Sequence, residues 1–153
     1  MLLASARKML SGRTHVVVDA DTALTTAGLD VDDDLAVLWL LGARDVRVRA
    51  LTAVHGNSLA ALTCRGAHNL QAACGRAQIP RVACGGGFFT SFRSSSTSSD
   101  AVEALADTAH ESGRPLVLLA LGPLTTVAAL LQRHPEAAIK IGLLILMGGS
   151  LRN

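Results

Sequence analysis

The chain has 153 residues, 50% of them hydrophobic, with three Phe, one Trp and no Tyr, so one domain with a core of Ala, Val and Leu is expected. A formal net charge of +2, scattered arginines and few aromatics to stack on bases argue against a nucleic-acid binder. No apolar run is long enough to cross a bilayer, which argues against a membrane protein.

Residues 1–14, MLLASARKMLSGRT, contain Arg7, Lys8 and Arg13 and no acid. They read as a frayed leader on a cytoplasmic protein, with organelle targeting as the weaker alternative. The α/β domain is expected over 15–153. Its first strand, 15–19, is β-branched and ends in Asp19. A helix follows over 32–41, with Leu35, Leu38 and Gly42 on one side and Val37 with Leu41 on another.

A strand over 46–54 alternates Val with Arg before becoming wholly apolar. A helix up to Gly75 presents Leu59, Leu62, Gly66, Leu70 and Ala73 at helical spacing. A short strand at 80–84 leads into a Gly- and Ser-rich loop at 85–99, expected to be mobile. A helix at 100–112, capped by Asp100 or the preceding Ser, buries Val102, Leu105, Ala106 and Ala109. A strand at 115–121 precedes Pro123 at a helix start, with Leu124, Val127, Ala128 and Leu131 as its buried stripe. The last strand is 141–147.

Strict alternation of apolar strands with helices predicts a doubly wound, mostly parallel sheet with helices on both faces. Cys64, Cys74 and Cys84 are odd in number and contain no C-x-x-C motif. They are expected to be small core residues in a reducing compartment, with no disulfide and no zinc site.

The chemistry concentrates in residues 16–37, VVVDADTALTTAGLDVDDDLAV. Asp19, Asp21, Asp30, Asp32, Asp33 and Asp34 are half of the chain's twelve acidic residues. Carboxylates crowded this closely repel, which a bound cation or shared acid–base work would offset. A solvated acidic loop at a helix N-terminus is the plain alternative. Asp30 and Asp34 fit that alternative, as solvated or capping residues. Ligands of doubly wound sheets bind beyond the carboxyl ends of the strands. Asp19 and Asp21, His55-Gly56-Asn57, Gly122 to Thr126, and Met147-Gly148-Gly149 all lie at such ends.

These motifs resemble the inosine–uridine-preferring nucleoside hydrolases. The matching segments are Asp19-Ala20-Asp21, Gly28, Asp32-Asp33, TAVHGN (52–57), TCRGAHNLQAACGRAQIPRVACG (63–85), LALGPLTTVAALLQRHPE (119–136) and IKIGLLILMGG (139–149). The resemblance implies cleavage of the N-glycosidic bond of a ribonucleoside by a calcium-activated water, in nucleoside salvage and catabolism. By that resemblance, Asp21 is metal ligand and general base, Asp33 a bidentate metal ligand and Thr125 a backbone-carbonyl ligand. Asp32 holds the ribose hydroxyls, Asn57 and Met147 line the ribose pocket, and Asp19 supports the site.

The partner implied is a small ribonucleoside; homo-oligomerisation is left open. The six residues 22–27 stand where the family pattern has about one. The 85–99 loop lacks the family's His-Gly motif. Family members run to about twice this length, so the chain is expected to correspond to an N-terminal half and to be inactive or nearly so alone. A pseudo-hydrolase that binds nucleoside or a partner protein is the first alternative. A haloacid-dehalogenase-like phosphatase using magnesium is the second, disfavoured by Ala23 two residues beyond Asp21.

Overall fold

A computed structural model of the chain describes residues 12–24, 26–85 and 99–149. Most of the leader and nearly all of the 85–99 loop lie outside these residues. In chain order the elements are β1 (Thr14–Ala20), α1 (Asp32–Gly42), β2 (Val46–Ala53), α2 (Ala60–Cys74), β3 (Val82–Cys84), α3 (Asp100–Glu111), β4 (Leu116–Ala120), α4 (Thr125–Arg133), α5 (Pro135–Ala138) and β5 (Ile141–Leu146). The short α5 is an addition to the expected order. Thr14 belongs to β1 and its amide donates to Asp45 O, so the first strand starts one residue before its expected position.

The five strands are parallel in the order β3-β2-β1-β4-β5. The chain winds outward from β1 through β2 to β3, then crosses back to β4 and β5. That reversal puts a crevice between the carboxyl ends of β1 and β4. Val16, Val18 and Ala20 of β1 face α1 and α2, packing with Leu51, Val37, Ala67 and Leu70. Val17 faces the other layer, with Leu105, Leu118, Val127 and Leu130. Helices therefore cover both faces, as the alternation predicted. Among the described residues no helix is long and apolar enough to cross a membrane.

Packing fixes the inward faces of α1 and α2 and corrects the buried stripe expected on α4. On α2 the buried face is Thr63, Gly66, Ala67, Leu70 and Gln71, whereas Leu59 is 75% exposed. A Cβ on Gly66 would meet Thr22 O at 2.6 Å, so this turn of the helix lies directly on the chain after β1. On α4, Thr126, Val127 and Leu130 are buried while Leu124 and Leu131 face solvent. On α1, Val37 points inward and Leu35, Leu38 and Trp39 point outward. Ser99 occupies the N-cap of α3, as expected for one of two candidates, through its carbonyl rather than its hydroxyl.

The cysteine expectation is also overturned. Cys64 and Cys84, twenty residues apart, form a disulfide with Cα atoms 5.3 Å apart, and Cys74 remains free. Packing of α2 on β3 brings the two together, a juxtaposition that no short motif announces. The inference of a reducing compartment loses its basis.

Candidate active site at the β1–β4 crevice

The site begins with a carboxylate inside the sheet. Asp19 is fully buried and lies in register with Thr52 of β2, whose hydroxyl donates to its Oδ1. Burial raises this carboxyl to about 7, with repulsion from Asp21 adding to the rise. The Thr52 and Thr126 hydroxyls pull the other way. Asp19 Oδ2 nevertheless makes no hydrogen bond of full geometry. A buried carboxylate oxygen without a donor is costly unless protonated or offered a cation. Its backbone carbonyl accepts from Leu121 N–H at 2.8 Å, which sets the β4–α4 loop beside β1.

Asp21 stands two residues on, at the mouth. Its Oδ2 accepts the Asn57 amide at 2.7 Å, and its own amide donates to Asp33 Oδ2 at 3.0 Å. The β2–α2 loop approaches so closely that a Cβ on Gly56 would overlap Asp21 Oδ2. Gly122, from the β4–α4 loop, packs closest to Val54, and a Cβ on it would also lie 3.3 Å from Asp21 N. Three segments thus converge on Asp21.

Asp33 is 3% exposed in the first turn of α1, where the helix dipole favours negative charge. Burial pushes its carboxyl up to about 7. A hydrogen bond of its protonated form to the Asp21 carboxyl and repulsion from Asp21 and Asp32 raise it further, against the pull of the Asp21 amide. Two acidic side chains in contact, whose like charges repel, make a natural seat for a hard cation. The donor set, carboxylate oxygens with an orphaned buried oxygen nearby, fits a hard, oxygen-seeking cation.

The segment 22–27 does not separate Asp21 from Asp33. Thr22 is buried and its hydroxyl donates to Thr63 O, while Thr26 N–H closes a turn onto Ala23 O. Asp34, expected to be solvated or capping, is 1% exposed. Its Oδ2 accepts the Ala23 amide at 2.9 Å, so it anchors the extra loop from below. Burial raises its carboxyl as well, against backbone hydrogen bonds from Ala23 and Leu24.

The other anticipated residues are less closely gathered. Asp32 is exposed, its Oδ1 accepting the Asp33 amide. Asn57 spends both ends of its side-chain amide on the Asp30 backbone, at 2.6 Å and 3.3 Å. Asp30 is exposed, as one of its two anticipated readings had it, and its carboxylate receives the Asp32 amide, while the N-cap of α1 is Val31. Thr125 opens α4 beside the buried Thr126. Met147 is 52% exposed past the end of β5, its amide bonded to Ala120 O. Thr52 was missed, Asp34 was given a solvated or capping role, and Gly122 and Thr126 were named only as parts of a strand-end segment. A register between Asp19 and a lone Thr in the apolar run of β2 was the available signal for the first.

A five-stranded parallel sheet with clustered acids at its switch point defines an α/β protein with a carboxylate-based site. The sequence profile described as "inosine-uridine preferring nucleoside hydrolase" matches residues 16–153, and the chain belongs to that family. It is 29% identical to the pyrimidine-specific ribonucleoside hydrolase RihA of Citrobacter koseri over a 143-residue alignment, covering 78% of this chain and 45% of that protein. The chain thus spans about half the length of the curated relatives it matches. Its fold superposes on the purine-preferring ribonucleoside hydrolase of Gardnerella vaginalis with a TM-score of 0.71 at 24% identity, covering 90% of this chain and 49% of the other. A plant nucleoside hydrolase, PpNRh1, gives 0.69 at 26%, covering 90% and 48%.

Proposed function

We propose that the crevice is the metal- and ribose-binding part of a ribonucleoside hydrolase site. The contact between Asp21 and Asp33 at the β1–β4 switch point, within a chain of this family, carries the proposal. Calcium is the ion that a set of carboxylate and carbonyl oxygens suits best, with Asp21, Asp33 and the Thr125 carbonyl as its holders. When bound there it would act as a Lewis acid that acidifies a water.

Asp21 accepts the proton of the attacking water as the C–N bond to the base breaks, with positive charge developing on the sugar ring. Asp32, exposed at the rim, takes the ribose hydroxyls, with Asn57 and Met147 along the pocket. Asp19 supports the site as a buried charge reserve behind Asp21. The substrate is a small ribonucleoside; the named relatives include pyrimidine-specific and purine-preferring enzymes, which supports the sugar rather than the base as the shared element.

Calorimetric titration of the chain with Ca2+, then with ribose, together with release of free base from inosine and uridine, tests the proposal. Calcium binding that disappears in Asp33→Asn supports the site, and no calcium binding overturns it. Where base release is seen, Asp21→Asn should lower it by about 10²- to 10⁴-fold, the usual contribution of a general base. Binding of calcium and ribose without base release would assign the chain to the pseudo-hydrolase alternative.

A further inference from the structure

The disulfide partners have a third neighbour. His68 follows Cys64 by four residues, so both side chains leave the same face of α2. Its Nε2 is 3.9 Å from Cys84 Sγ at the end of β3. One donor atom from each of Cys64, His68 and Cys84 lies within 4.8 Å of the other two. His68 is exposed and the cysteines are half-buried, so an ion can reach them from solvent.

We propose that, when its thiols are reduced, this trio binds a soft divalent cation, Zn2+ by chemical class, with water in the fourth position. Zinc–sulfur and zinc–nitrogen bond lengths give a tetrahedron with edges of roughly 3.5–3.8 Å. Cα atoms 5.3 Å apart and donors already within 4.8 Å allow that with small side-chain rotations. Two thiolates and an imidazole select zinc over calcium, whereas the oxygen donors at the crevice select the reverse. The two sites would therefore sort metals between them.

Redox state decides whether the donors exist. A phosphine reductant delivers two electrons to the disulfide, becoming its oxide at the expense of one water, and leaves two thiols. Binding one Zn2+ then releases the two thiol protons. Loss of two electrons to an added oxidant restores the disulfide and removes both charged ligands. In either state α2 stays fastened to the end of β3, next to Gly85, whose amide donates to Ala53 O. Thr126 Oγ1 is 3.5 Å from where a Gly85 Cβ would lie, so this fastening borders the surroundings of Asp19.

The test uses the full chain, phosphine-reduced and saturated with Ca2+, titrated with Co2+ as the spectroscopic stand-in for zinc and then with Zn2+. One equivalent should produce thiolate-to-cobalt charge-transfer absorption, bleached by Zn2+. The disulfide form and Cys84→Ser should give none, and Cys74→Ser should match the parent chain. His68→Ala, at an exposed position that leaves the core intact, should weaken zinc by more than about 10-fold, since even outer-shell partners cost that much. Absence of the absorption in the reduced, folded chain overturns the proposal, as does its persistence in Cys84→Ser. Unchanged zinc affinity in His68→Ala overturns the three-donor assignment.

Discussion

The two sides of the β1–β4 crevice invert the usual placement of residues. On the β1 side, Asp19, Asp33 and Asp34 are at most 3% exposed, inside a strand paired on both flanks or a helix end closed by loops. On the β5 side, Leu143, Leu144, Ile145, Leu146 and Met147 are 40–52% exposed. Among the described residues β5 pairs only with β4. Acids are buried because hydrogen bonds from Thr52, Ala23 and Asp21 hold them there. Leucines stand in water because nothing described covers them, although their unbroken apolar run is that of a strand buried on both faces. The buried apolar packing therefore lies on β1, β2 and β4, and the cost of buried charge on the carboxylates.

Titration should give the largest contrast between the sides. Asp19 and Asp33 have folded-state values near 7 against an ordinary 3.8. In the metal-free chain the folded state then binds more protons than the unfolded state between those values. The contribution of these two groups to stability is full below about pH 4 and is lost as pH rises through 7. Urea unfolding at pH 5 and pH 8 should find the metal-free chain weaker at pH 8. Calcium should restore most of the loss there and little at pH 5, because its ligands must be ionised.

Core truncation comes next. Leu118→Ala, in β4 at 1% exposure, should cost about 2–5 kcal/mol in denaturant unfolding. Gly56→Ala acts on the site itself, pressing a methyl against Asp21 Oδ2. Its calcium affinity should fall about 10- to 100-fold by calorimetry, the scale of a disturbed outer shell. Smallest is Leu144→Ala on β5. At 40% exposure it should cost about 1 kcal/mol or less. A loss matching that of Leu118→Ala would mean that β5 is covered in solution, and the contrast between the two sides would fail.

The strands, their alternation and the layered fold were legible because buried parallel strands are apolar throughout and break cleanly at Gly, Pro and Asp. The crowding of Asp19, Asp21 and Asp33 near one strand end was legible from their order along the chain, whereas the role of each rested on the family resemblance. Helix faces were less so. In α2 the inward positions include Thr63, Gly66 and Gln71, chosen by close approach to Thr22 and by a bond from Gln71 Nε2 to Ile79 O rather than by hydropathy. In α4 the Leu, Val and Ala residues are spread around the helix, so sequence alone could not rank Leu130 above Leu131. Asp34 looked like one acid too many at a helix start, and only the folding back of residues 22–24 buries it. The Cys64–Cys84 bond depends on helix–strand packing that no local pattern encodes.

Asn57 has a consequence beyond position. Its side chain grips the Asp30 backbone while its amide holds Asp21, so the segment entering α1 and the loop after β2 share their hydrogen bonds. Neither can leave the folded state alone without stranding the other's donors. The mouth of the crevice should open and close as one cooperative unit, with the amides of Asp21, Asp30 and Asn57 exchanging with solvent at a common rate. An ion seated against Asp21 would slow all three together, and so be felt at Asp30 through Asn57.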